Sequence, residues 1–216
     1  MKIYKVKRIE ENALSDQSIL QETAWKEAIA LKDFQYPWEA DETSDMEFKA
    51  LWDHNHLFFQ FSVICESPLC YVDKNHKMEV VDSDRVEIFF RKDEKLNPYY
   101  CLEMDALGRV MDYKTNYYRK FSYDWSWPGM NQLKVFVKRE NTSYTLAGRI
   151  SLESLANLGL LIDGKLEAGL FRGQCLNLPT DDKEAELKWI SWIKPIAETP
   201  DFHIPSSFGI LELQDI

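Results

Sequence analysis

The sequence predicts an all-β protein, a single antiparallel β-sandwich of jelly-roll-like form with one or two short helices. Three observations carry this prediction. Short segments alternate apolar and polar residues with period two throughout the chain. Polar turn clusters separate them, and stretches of helical period are few. A length of 216 residues suits one large β domain spanning 1–216 and is short for two. A closed barrel is the rival architecture.

Taken in order, Lys2–Ile9 alternates and opens the chain as a strand, and Trp25–Leu31 is a short mixed segment. Glu47–Trp52 and Leu57–Ile64 form a hairpin around Asp53-His54-Asn55-His56, whose side chains suit a tight turn. Arg85–Arg91 is a strand fed by the acidic turn Asp82-Ser83-Asp84. Its alternation puts Val86, Ile88 and Phe90 on one face and Arg85, Glu87, Phe89 and Arg91 on the other. Tyr99–Asp105 and Arg109–Thr115 pair around Ala106-Leu107-Gly108, and Leu133–Arg139 and Tyr144–Ser151 around Glu140-Asn141-Thr142. Ser151 caps a one-turn helix over Ser151–Leu155. Lys165–Arg172 and Gly209–Leu213 complete the strands.

Bulk composition excludes several functions. Net charge is −10, from 26 basic and 36 acidic residues, which argues against nucleic acid as partner. No segment approaches the roughly 20 apolar residues of a membrane helix, so no membrane partner is expected. With no apolar run behind Met1–Arg8, the chain as written is expected to be cytoplasmic, or secreted or periplasmic if a leader has been removed. Cys65, Cys70, Cys101 and Cys175 match neither a disulfide framework nor a zinc site; free thiols are expected, with a Cys65–Cys70 bridge open to an oxidising compartment. No Gly-rich phosphate loop and no Gly-x-Ser-x-Gly motif occurs. Aromatic residues reach 13%, including seven Trp.

Three groups of residues carry candidate chemistry. The pair Arg85 and Glu87 is either a solvated outer face or the polar floor of a binding site. In Tyr99–Asp105, Glu103 lies on the face opposite Tyr100, Leu102 and Met104, so pairing with Arg85–Arg91 would bring Glu87 and Glu103 to one face. Two such carboxylates can bind sugar hydroxyls or act as acid and base in glycoside hydrolysis. Trp125 and Trp127 stand two residues apart beside a Pro-Gly turn, with Trp38, Trp189 and Trp192 also near loops. Indole faces suit the apolar faces of a pyranose while polar side chains take its hydroxyls. Asp82 and Asp84, with Glu79 nearby, offer hard oxygen ligands for a structural calcium, without the EF-hand glycine and terminal Glu. Arg172 is a lesser candidate because its strand can border the same floor.

Several motifs together resemble the family 9 carbohydrate-binding modules, bacterial and xylanase-associated β-sandwiches: Ala50-Leu51-Trp52-Asp53 with Leu57-Phe58-Phe59, Asp84-Arg85-Val86-Glu87-Ile88-Phe89, Ile190-Ser191-Trp192, and the run from Pro200 through Asp201-Phe202-His203 to Gly209. The resemblance implies a sugar held between two aromatic rings over a polar strand, with Glu87 as its carboxylate and Trp192 as one stacking ring. The second stacking Trp falls near Val81, and the family's Arg and Asn near Cys101 and Glu103, so this chain departs there. The resemblance also implies structural calcium and a link to polysaccharide breakdown, xylan included. The expected function is therefore non-catalytic binding of an oligosaccharide or polysaccharide. The alternatives are a glycoside hydrolase using Glu87 and Glu103, an interaction module whose sugar site has decayed, and a haem-binding sandwich with an axial Met or His.

Overall fold

The computed structural model describes residues 1–39, 44–129 and 131–215. Its strands are β1 (Ile3–Arg8), β2 (Met46–Trp52), β3 (His56–Ile64), β4 (Arg85–Arg91), β5 (Tyr99–Asp105), β6 (Val110–Asn116) and β7 (Lys120–Ser122). There follow β8 (Leu133–Glu140), β9 (Ser143–Ser151), the helix α1 (Leu152–Asn157), β10 (Leu161–Ile162), β11 (Lys165–Asn177), β12 (Glu186–Ser191) and β13 (Gly209–Leu213). Among the described residues, three short 3-10 helices lie at Glu22–Trp25, Lys77–Asp82 and Pro205–Ser207. No helix among the described residues is long and apolar enough to cross a membrane.

The turns form for the reasons their residues suggest. Asp53 Oδ1 accepts from the Asn55 and His56 amides, both at 2.8 Å, and closes the β2–β3 hairpin. Asp105 Oδ1 accepts from Leu107 N and Arg109 N at 3.0 Å, while Gly108 takes φ +81° at the corner of β5–β6. Ser151 Oγ accepts from Ser154 N at 3.0 Å and starts α1.

Two sheets pack face to face. One runs β7-β6-β5-β4-β11-β13-β1, with β10 and β12 also on β11; the other runs β1-β2-β3-β9-β8. The strand β1 joins them, its first four residues beside β13 and its last two beside β2. Both of these pairings are parallel, a departure from the purely antiparallel expectation. Val86, Ile88 and Phe90 from β4, Leu102 and Met104 from β5, and Leu170 from β11 meet Phe59 and Phe61 from β3 and Leu146 from β9 in the core between the sheets.

Each sheet also has a covered outer face. Leu14, Ile19 and Trp25 lie over Leu51, Phe58 and Ala147 of the second sheet. On the first sheet, Val80, Phe202 and Phe208 cover Phe89, Tyr99, Cys101, Met111, Tyr113 and Phe171. This second layer is why every residue of β4 and β5 is buried, and why Arg85 and Glu87 are not a solvated face. The expected strand over Lys165–Arg172 continues through Gly173 to Asn177, and β12 pairs with that extension.

Candidate functional site

The outer face of the first sheet holds a cleft of about 190 Å³. Register builds its floor. Glu87 lies directly opposite Glu103 on β5 and opposite Phe171 on β11, while Arg85 lies opposite Gly173. Arg85 Nε donates to Glu103 Oε2 at 2.6 Å and its Nη1 donates to the Val81 carbonyl at 2.7 Å. Tyr113 on β6 donates its hydroxyl to Glu103 Oε1 at 2.7 Å. Both Glu103 oxygens are therefore engaged.

Glu87 is treated differently. It is only 2% exposed. Its Oε1 sits 3.0 Å from Arg85 Nε, but that nitrogen has a single hydrogen, which points at Glu103. Glu87 Oε1 is left buried without a hydrogen-bond partner. Burial first, then the neighbouring Glu103 charge, push the Glu87 carboxyl up to about 8, against the opposing pull of Arg85.

Gly173 makes this floor possible. A Cβ there would stand 2.8 Å from Arg85 Nη1, 3.1 Å from its Cζ and 3.4 Å from the Trp189 ring. The guanidinium crosses the space above the glycine and lies under the Trp189 ring, 5.4 Å from its centroid.

Aromatic side chains form the walls. Trp189 from β12 packs edge-on against Phe202, and Trp38 approaches the same ring at 5.5 Å. Phe202 stacks on Phe171 at 4.1 Å and anchors that side. Opposite stand Phe121 and Tyr123, stacked on each other at 5.3 Å. At the rim, Asp201 accepts from the Tyr118 hydroxyl at 2.6 Å and from Arg119 at 3.2 Å. His203 faces the cleft with its ring against Phe89 and its Nδ1 3.0 Å from the Tyr99 hydroxyl. Burial, with Arg119 nearby, pulls its imidazole down to about 4.

The structure brings Arg85, Glu87 and Glu103 together as the sequence suggested. It places the remaining candidates elsewhere. Trp192 is 1% exposed in the core between the sheets, against Gly209, and lines no part of the cleft. Trp189 and Trp192 are three residues apart, so strand alternation sends them to opposite faces, and Trp189 is the ring in the cleft. Arg172 likewise points inward, because its neighbours Phe171 and Gly173 face out. There Arg172 Nη2 donates to Asp84 Oδ2 at 2.8 Å, and Nε and the Tyr144 hydroxyl donate to Asp84 Oδ1. Trp127 packs into the core beside Phe90 and Tyr100, and Trp125 packs on Tyr100. Both lie on the inner side of β5, away from the cleft.

The expected calcium ligands do not assemble. Asp84 is committed to Arg172 and Tyr144, and Glu79 accepts from the Asp73 and Lys74 amides and from Arg109. Among the described residues no group of three or more His, Cys, Asp or Glu side chains converges as a metal set. Asp82 and Asp84 do not fit a calcium ion, since a guanidinium already neutralises Asp84. All four cysteines are free thiols.

Sequence reasoning named Trp38 and Trp189 among loop aromatics without placing them in the site, and did not single out Tyr113, Phe121, Tyr123, Arg119 or the Asp201 carboxylate as site residues. The spacing of Trp189 from Trp192 was the one available signal; the others depend on register and on loops folded back over the sheet.

Comparisons with known proteins agree on the fold. Residues 18–216 match the family described as carbohydrate family 9 binding domain-like. No curated protein matches the chain. The crystal structure of a candidate carbohydrate-binding protein from Bacteroides uniformis ATCC 8492 superposes with a TM-score of 0.72 at 15% identity, covering 99% of each chain. A family 9 carbohydrate-binding module from Caldicellulosiruptor kristjanssonii in complex with cellotriose gives a TM-score of 0.57 at 15% identity, covering 98% of this chain and 93% of that one. The glucose complex described for the same module family and organism gives 0.53 at 16%, covering 99% and 96%.

Proposed function

Since the chain belongs to the carbohydrate family 9 binding domain-like family, we propose that the cleft over β4 and β5 binds a saccharide without transforming it. The observation that carries this reading is the pairing of indole walls, Trp38 and Trp189, with a polar floor of Arg85, Glu87, Glu103 and Tyr113. A pyranose stacks its apolar face on an indole and turns its hydroxyls to the floor. A volume of about 190 Å³ suits one sugar ring, being smaller than the roughly 300–1,000 Å³ of drug-sized pockets. Glucose and cellotriose complexes of similarly folded modules support an oligosaccharide or a polysaccharide end as the ligand. Held this way, a polysaccharide would be presented for breakdown by a separate enzyme.

Hydrolysis by Glu87 and Glu103 is the weaker reading. An acid–base pair needs two carboxyls free to exchange protons with substrate. Both Glu103 oxygens already accept hydrogen bonds, from Arg85 and Tyr113.

Calorimetry with cellotriose and xylotriose tests the proposal. Trp189→Ala should weaken binding at least tenfold, while Trp125→Ala, which alters a ring outside the cleft, should leave affinity within about twofold. Equal affinity in Trp189→Ala would remove the cleft as the saccharide site.

A further inference from the structure

The floor of the cleft carries an imbalance. Two carboxylates, Glu87 and Glu103, face one guanidinium, Arg85, and all three side chains are at most 6% exposed. Arg85 is spent on Glu103 and on the Val81 carbonyl. Among the described residues that line the cleft, the other permanent cation is Arg119, which is tied to Asp201 at the rim. Tyr113 donates to Glu103, and His203 is held neutral by its enclosure. Ionised Glu87 therefore shares Arg85, 3.0 Å away, with Glu103, and its Oε1 has no hydrogen-bond donor.

A ligand that seals this cleft against water must deal with that charge. A neutral sugar binds with Glu87 protonated, its state below about 8, and gains no charged hydrogen bond from it; an ionised Glu87 would stay uncompensated in a low-dielectric site. A ligand cation lets Glu87 ionise and supplies its positive partner. Resting on the saccharide reading above, we infer that the cleft prefers saccharides bearing a protonated primary amine, the amino group donating to the Glu87 carboxylate. The exchange balances: Glu87 gives up its proton to buffer, and the incoming ammonium, which keeps its own three hydrogens, replaces it as the positive partner. The indole face of Trp189 tolerates a nearby cation, as its contact with Arg85 already illustrates.

Calorimetry at pH 6.0 and 0.15 M salt would compare a chitosan trisaccharide, its fully N-acetylated counterpart and cellotriose, on the native chain and on Glu87→Gln. The amine-bearing ligand should bind the native chain at least tenfold tighter than cellotriose and release a proton, measured in buffers of different ionisation heat. In Glu87→Gln, checked for folding by its melting curve, the preference, read as the ratio of the two ligands' affinities for that variant, should fall to within about threefold. Cellotriose binding as tightly as the amine overturns the inference and leaves the saccharide site standing. An amine preference that persists in Glu87→Gln also overturns it, since attraction to a chain of net charge −10 would explain that result. Failure of all three ligands removes the saccharide reading along with it.

Discussion

Gly173→Ala is a one-methyl change whose sign the structure decides. Alanine in a strand is ordinarily better than glycine by about 0.5–1 kcal/mol. Here the new Cβ would meet Arg85 Nη1 at 2.8 Å and Cζ at 3.1 Å. A flexible side chain would swing away, but this guanidinium is pinned by Glu103 and by the Val81 carbonyl. It can yield only by lengthening the 2.6 Å contact to Glu103 or by pressing on Trp189, which the same Cβ approaches at 3.4 Å. Overpacking of this kind costs about 1–3 kcal/mol. Loosening a buried ion pair adds part of the roughly 3–5 kcal/mol that breaking one costs outright. After subtracting the alanine gain, the net loss should be about 2–4 kcal/mol, a fall in Tm of about 5–15 °C for a domain of this size. Urea denaturation followed by tryptophan fluorescence reads it directly, and saccharide affinity should fall with it because Trp189 shifts. A variant as stable as the native chain, or more so, would refute the reasoning that Arg85 lies locked across the glycine.

Three further predictions follow from the same geometry. Native Glu87 keeps its proton up to about 8 while the unfolded chain releases it near 4.5, so the native state binds more protons between those values and stability falls as pH rises through them. Glu87→Gln should remove that slope and gain on the native chain by a few kcal/mol at pH 9 relative to pH 5; parallel stability curves for the two proteins would contradict this. Trp192→Ala should cost about 3–5 kcal/mol as a core truncation, measured by denaturant midpoint, whereas loss of affinity without loss of stability would return Trp192 to the binding site. Arg172→Met strands the buried Asp84 charge and should cost about 3–5 kcal/mol, with Asp84→Asn in the same chain recovering part of it; additive losses in that double-mutant cycle would deny the pair.

What the sequence made legible is what alternation controls. The bounds of β4, β5 and β13 match the expected strands, and the two faces of β4 separate as period two requires, with Val86, Ile88 and Phe90 inward and Arg85 and Glu87 outward. The meeting of Glu87 with Glu103 needed only the correct pairing of those strands. The strand β12 was missed, and with it the parity argument that sends Trp189 to the cleft and Trp192 to the core. Arg172 failed on the same parity, its neighbour Gly173 serving the strand rather than ending it. Asp84 read as a metal ligand because the partner that neutralises it lies 88 residues away, a distance that local spacing cannot reveal. The walls formed by Trp38, Phe121 and Tyr123 come from loops and short edges, whose path is set by packing on the sheet rather than by their own pattern.

The claim that most needs testing is that saccharide enters between Trp38 and Trp189 over Glu87. The seven tryptophans give seven indole N–H signals, and a nitrogen–proton NMR titration with cellotriose or its amine-bearing analogue reads them separately. The Trp38 and Trp189 indoles should shift with saturable dependence on ligand while those of Trp25, Trp52 and Trp192 stay in place. Saturable shifts confined to Trp25, Trp52, Trp125, Trp127 or Trp192, with Trp38 and Trp189 unmoved, would contradict it.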